Sequence, residues 1–295
     1  MDWLQKFPHM DDESLRVLKK TIDEGFRSFT RAYGDSIEGF FSPLQFFLNQ
    51  AERFMTQTPW PIIVFIILAI AWGASRSVKV VLGSLVTLLA IGYFDMWDDA
   101  MRTISMIFVC TMLSIAIGIP IGILMSRSDR LRKLVSPILD IMQTMPSFVY
   151  LIPVVMLLGI GKVPGLIAVV IYAIPPVIRL TDLGIRLVDK DVLEAADAFG
   201  SSNSQKLFKV QLPLALPTIM AGINQTIMMA LAMVVIASMI GVQGLGQPVL
   251  KAIANQYFTL GIFNGLAIVG IAVIFDRVSQ AYGKRLQKHR ETVHG

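Results

Sequence analysis

The sequence predicts an all-α membrane protein, with about seven transmembrane helices preceded by amphipathic N-terminal helices. Three observations carry that prediction. Of 295 residues, 54% are hydrophobic and only 16% are charged, against about 25% charged in an ordinary soluble domain. Such a surface is too poor in charge to face water on all sides, which excludes a soluble enzyme, a disordered chain and a nucleic-acid-binding protein as first readings. Windows of the roughly 20 mostly apolar residues that a spanning helix needs recur along the chain, and the formal net charge of +5 is concentrated between them.

The elements follow in order. Residues 1–58 form a helical segment outside the membrane or at its surface. Within it Ile37, Phe40, Phe41, Leu44, Phe47 and Leu48 fall on one helical face, and Leu15, Leu18, Ile22, Phe26 and Phe29 on a second, thinner stripe. The Phe-rich face suits a helix lying in the lipid boundary; a small extramembranous bundle is the alternative. No positively charged start leads into an apolar core, so no cleavable signal peptide is expected. Two accessory spans occupy 59–94, as 59–75 and 78–94. A core of 95–280 holds the rest, at 103–125, 137–159, 163–179, 216–240 and 260–276, and a basic tail, 281–295, follows. The only cysteine, Cys110, lies inside an apolar run and permits no disulfide framework.

Sixteen of the 26 basic residues fall in four segments: Arg76 and Lys79; Arg127, Arg130, Arg132 and Lys133; five between 179 and 213; and five after Asp276. The loops on the other side hold only Arg102, Lys162 and Lys251. Lys and Arg accumulate in cytoplasmic loops, so this bias predicts the N-terminus outside and the C-terminus inside. Trp60 and Trp97 then lie at the outer boundary and Trp72 near the inner one, where amphipathic rings settle.

The longest inner connection, 180–213, is too polar to span but is patterned. Val192, Ala195, Ala196 and Phe199 share a helical face and Gly200 follows as a C-terminal cap. Ser201 to Ser204 cap a second short helix, 205–212, which Pro213 closes. The string Glu194-Ala195-Ala196, three residues, Gly200, nine residues, Val210-Gln211-Leu212-Pro213 resembles the EAA loop of ATP-binding-cassette importer permeases, with Val210 where that pattern has Ile. At ordinary residue frequencies the matching positions would coincide by chance roughly once in a million trials. The physics is intelligible without the family: small Ala195 and Ala196 allow close backbone approach, Glu194 offers a charge to a partner, and Gly200 permits a sharp reversal.

The stretches Gln143–Pro153, Tyr172–Arg179 and Gly241–Gly246 narrow the likeness. They are similar to the permease subunit of bacterial glycine betaine/proline betaine importers, over about residues 95–280. The resemblance implies a type I importer transmembrane domain in a bacterial inner membrane. It also implies a separate ATPase subunit, an extracytoplasmic binding protein that delivers a quaternary ammonium osmolyte, and a second permease copy. Some relatives carry choline, carnitine or proline instead. Glu194, Ala195, Ala196, Phe199, Gly200, Leu212 and Pro213 would then form the contact with the ATPase. No cofactor is expected on this chain: it lacks a G-x-x-x-x-G-K-[ST] phosphate loop, so ATP is used by the partner. Lipid is an expected partner and nucleic acid is not.

A transporter opens alternately to each side, and broken spans help it do so where irregular backbone lines protein or a cavity. Pro146, Ser147, Tyr150, Pro175 and Pro176 mark such breaks in the fourth and fifth spans. Asn224 and Gln225, polar and uncharged in the sixth span, are further candidates for the path, with interhelical hydrogen bonding as their other reading. Asp140 is expected near a helix N-terminus at the inner boundary. Spans almost free of carboxylates, with His9, His289 and His294 all in the tails, suit a proton-driven carrier poorly. No paired carboxylates, metal motif or nucleophile triad is present for an enzyme. A self-contained secondary carrier or channel for small osmolytes is the alternative function.

Overall fold

The computed structural model describes residues 9–291, and every element among them is helical. The first helix, α1 (Asp12–Gln57), is capped by Asp11, whose carboxylate accepts from the amides of Glu13 and Ser14 at 3.2 and 3.4 Å. Both N-terminal stripes belong to this single 46-residue helix, which runs through Pro43. The Phe-rich stripe divides along its length. Leu48 is 1% exposed, and Leu44, Ala51 and Met55 pack with it on the core, while Phe40 and Phe47 remain exposed. Part of the face assigned to lipid is therefore protein interior, and no separate bundle forms among the described residues.

Pro59 and Pro61 end α1 and start α2 (Trp60–Ser75), since neither can continue the preceding ladder; the axis turns by 110° between Gly39–Gln57 and α2. Arg76, in the left-handed conformation, caps α2 and leads to α3 (Val78–Tyr93). These two accessory helices have 16 residues each, about 24 Å of helix. The long α4 (Trp97–Arg127) carries Asp98 and Asp99 in its first turn, where carboxylates suit the helix dipole.

The fourth expected span is not straight. It consists of amphipathic α5 (Asp129–Thr144), a 3₁₀ turn at Ser147–Tyr150 and the eight-residue α6 (Leu151–Leu158), with a bend of 111°. Pro146 supplies the break by disfavouring helix at Met145, which is extended. Asp140 accordingly sits near the end of α5, where it pairs with Arg179, and Asp129 holds the first turn. The fifth span is longer than predicted: α7 (Lys162–Ala173) and α8 (Pro175–Arg186) form one 25-residue run. Pro175 begins α8 without ending the span.

After α9 (Lys190–Ala198) and a short turn, α10 (Asn203–Gln205), a π-helical stretch (Lys206–Gln211) continues directly into α11 (Leu212–Ala237). Pro213 thus lies in the first turn of a long helix and does not close a short one. The amide of Leu212 donates to Leu207, five residues back, and this widened turn accommodates a ring that would otherwise meet the carbonyl of Lys209. A loop with Gly241 and Gly244 at positive φ, α12 (Gly246–Asn255) and α13 (Phe258–Glu291) complete the fold. Four continuous helical runs are long and apolar enough to cross a membrane: 97–127, 162–186, 203–240 and 258–285.

Small residues decide the centre. α8 packs between α4 and α11, and Gly118 and Gly122, in a G-x-x-x-G spacing, let α4 approach it. A Cβ on Gly122 would lie 2.7 Å from the carbonyl oxygen of Ile178, and one on Gly118 would overlap Val177. Gly184 and Gly222 serve the α8–α11 contact in the same way.

Candidate functional site

The loop between α8 and α11 is built from its caps. Asp189 caps α9 by accepting from the amide of Asp191 at 3.0 Å. At the other end Gly200, φ +73°, donates to Asp197 (2.9 Å), and Ser201 donates to Ala196 (3.0 Å), the paired bonds of a Schellman motif. Ser202 and Gln205 then form a reciprocal capping box. Lys206 reaches back to Asp197, Nζ to Oδ2 2.6 Å, and ties the two arms together. Leu207 is buried against Ile185, Ala215 and Ile219, which anchors the returning arm on the core.

Most of the sequence-predicted set is held outward by this frame, whereas Leu212 packs against the cluster around Leu207. Glu194 and Ala195 are exposed and Ala196 is half-buried. Phe199 is 91% exposed, and Val192 and Phe208 are exposed as well. Leu212 and Pro213, at the start of α11, are half-buried and exposed. Large apolar side chains on and beside a helix fixed at both ends are thus left open to solvent.

Directly before the loop lies a charge network that sequence reasoning missed. Asp182, its side chain 5% exposed, accepts from Arg186 Nε at 2.8 Å and pairs with Arg132 Nε at 3.1 Å. Arg186 also pairs with Asp129 at 2.7 Å and donates to the carbonyl of Met125 at 2.9 Å. Five residues from α4, α5 and α8 therefore meet one turn from α9. The signal available in sequence was the i, i+4 spacing of Asp182 and Arg186 inside a segment read as loop. A second network lies at the opposite ends of the spans: Glu52 of α1 pairs with Lys162 at 2.6 Å and with Arg102 at 3.7 Å.

The candidates for a path have different surroundings. Pro146 is exposed and Ser147 half-buried at the bend. Tyr150 is buried, its hydroxyl donating to the carbonyl of Met142 across the bend, with its ring 5.8 Å from that of Tyr172. Pro175 and Pro176 are buried, and the carbonyl of Pro176 faces Gly222 of α11. Asn224 donates to Asp276 at 3.1 Å and accepts from Ser279, so interhelical hydrogen bonding accounts for it. Gln225 is exposed. Among the described residues no group of three or more His, Cys, Asp or Glu side chains comes together as a metal site.

Long apolar spans, small-residue crossings and an exposed, doubly capped loop helix define a polytopic membrane subunit of permease type. Residues 114–288 match the family model described as binding-protein-dependent transport system inner membrane component. The chain belongs to this family, and within it to the glycine betaine/proline betaine permease branch. It is 44% identical over 293 residues to the permease protein ProW of the Escherichia coli glycine betaine/proline betaine transport system, covering 96% of this chain and 82% of that one. Identity to the Bacillus subtilis glycine betaine permease protein OpuAB is 42% over 280 residues, covering 95% and 96%. Among solved structures, a chain of the MetNI methionine transporter aligns with a TM-score of 0.57 at 22% identity, covering 63% of this chain and 93% of that one. That likeness supports the fold alone.

Proposed function

We propose that this chain is the membrane-spanning permease subunit of an ATP-driven, binding-protein-dependent importer of glycine betaine, proline betaine or a related quaternary ammonium osmolyte. In this reading α9 docks on a separate ATPase, an extracytoplasmic binding protein delivers the substrate, and a second permease copy completes the path. The loop end faces the cytoplasm, with the N-terminus outside and the C-terminus inside. The observation that carries the proposal is the exposed Glu194-Ala195-Ala196 helix, capped and stapled at both ends and joined through Arg186 to the ends of α4 and α5. A helix so held passes a push to the spans instead of bending away from it. The relatives' names support the substrate class.

Reconstitution with the ATPase and the binding protein tests the proposal. Glu194→Lys reverses the exposed charge. Gly200→Val forces a β-branched residue into left-handed backbone. Both variants are expected to insert normally and to lose most ATP-dependent betaine uptake. Unchanged uptake in both would remove the coupling assignment, and betaine transport by the purified chain alone would favour a self-contained carrier.

A further inference from the structure

Several cavities lie away from the loop and the central crossings, and one of them carries charge at its mouth. It is a groove of about 450 Å³ between α3 and α13. The two helices touch where Gly270 faces Thr87, since a Cβ on Gly270 would lie 2.5 Å from Thr87 Cγ2. Toward the α2–α3 turn they separate. Gly83, Ser84, Val273 and Ile274 wall the gap, and Lys79 and Arg277 stand where it opens. Both cations are exposed, and neither has an ion-pair partner among the described residues. The adjacent carboxylate, Asp276, is turned to Asn224 of α11 and to Gln280 and does not line the groove, whose charged lining residues are Lys79 and Arg277. Arg285 donates to the carbonyl of Gly73 at 2.9 Å, which pins α13 beside the α2–α3 turn and holds the groove in shape.

We propose that this groove binds an anionic glycerophospholipid, with its phosphate between Lys79 and Arg277 and an acyl chain along Gly83 and Val273. The charge and the apolar wall select it together. Leu82, Val86 and Val273 are exposed and meet hydrocarbon, while Lys79 lies in the first turn of α3. At about 24 Å that helix is shorter than the roughly 30 Å hydrocarbon core, so the ammonium reaches the headgroup layer on its flexible stem. A zwitterionic lipid brings a cation of its own, which two unpaired basic groups repel. Basic pockets between spans suit anionic headgroups for this reason.

Native mass spectrometry of the full-length chain in mild detergent tests the site, with phosphatidylglycerol and phosphatidylcholine of identical acyl chains as probes. The wild type is expected to retain phosphatidylglycerol preferentially. Lys79→Gln and Arg277→Gln are each expected to lower that preference by about fivefold. Gly83→Leu fills space that is open in the structure without changing charge or favouring unfolding, and is expected to lower retention as well. Arg76→Gln, at the same end but outside the groove, is the control. Equal retention of the two lipids, an equal loss with Arg76→Gln, insensitivity to Gly83→Leu, or displacement by millimolar inorganic phosphate would each overturn the proposal. The last result would indicate a small-anion site in place of a lipid site. If a charge variant fails to fold, Gly83→Leu and the phosphate competition still decide the matter.

Discussion

Single residues in this chain matter where backbone meets backbone. Gly122 touches Ile178 and Thr181 so closely that any side chain must displace α8. Gly122→Val is expected to destabilise the purified protein by about 1–3 kcal/mol, read as a lower melting temperature in detergent. Gly25→Ala, where nothing lies within 4 Å, is expected to be neutral or slightly stabilising. The charges at the inner ends follow a different rule. Asp182 is buried between Arg186 and Arg132, and truncating it removes two charge-assisted hydrogen bonds from partly exposed arginines, of which Arg186 keeps Asp129, at a cost of about 1–3 kcal/mol. Asp182→Ala should therefore melt well below wild type, whereas Arg130→Ala, an exposed residue of the same segment, should not.

At the scale of elements, the structure separates helices that are merely apolar from helices that are placed. α1 is held by Leu48 from its own periodicity, and also by Glu52 reaching Lys162, a contact across 110 residues. Glu52→Gln keeps the shape and removes the charge, and it is expected to raise hydrogen exchange in the last turns of α1 without changing it in α4. The α5–α6 bend is held by the Tyr150 hydroxyl on the Met142 carbonyl. Tyr150→Phe is expected to cost about 1 kcal/mol in the same melting assay while leaving the packing against Tyr172 intact. The sequence carried the break, since Pro146 was visible, but not its angle. A run of apolar residues is compatible with a straight span or with a hairpin, and only the neighbours that bury each arm distinguish them. The loop was legible in better detail because its caps are local. Gly200, Ser202 and Gln205 each act within three residues of their partners.

For the whole molecule, the ends of the spans sort into two sets. Arg285 with Gly73, Arg186 with Met125 and Arg132 with Asp182 meet at one end, and Glu52, Lys162 and Arg102 at the other. This grouping matches the division of basic residues read from the sequence, and it makes the proposed orientation testable. Cys110 is the only cysteine and is buried, so thiols added at exposed positions report alone. Ser14→Cys is expected to react with a membrane-impermeant maleimide in intact cells, and Ser204→Cys, also at an exposed position, only after permeabilisation. The reverse pattern would invert the topology.

By itself the sequence determined the class of protein, most of the membrane-crossing segments and the helix that the loop displays. Those features depend on hydropathy and on caps acting over a few residues. Only the tertiary structure decided that the fourth apolar stretch is bent, that Pro213 continues a helix, that Asn224 belongs to a helix contact and that Asp182 is the centre of a charge network. Each of these depends on residues tens of positions apart competing for the same space and the same hydrogen bonds. No window of the chain contains both partners.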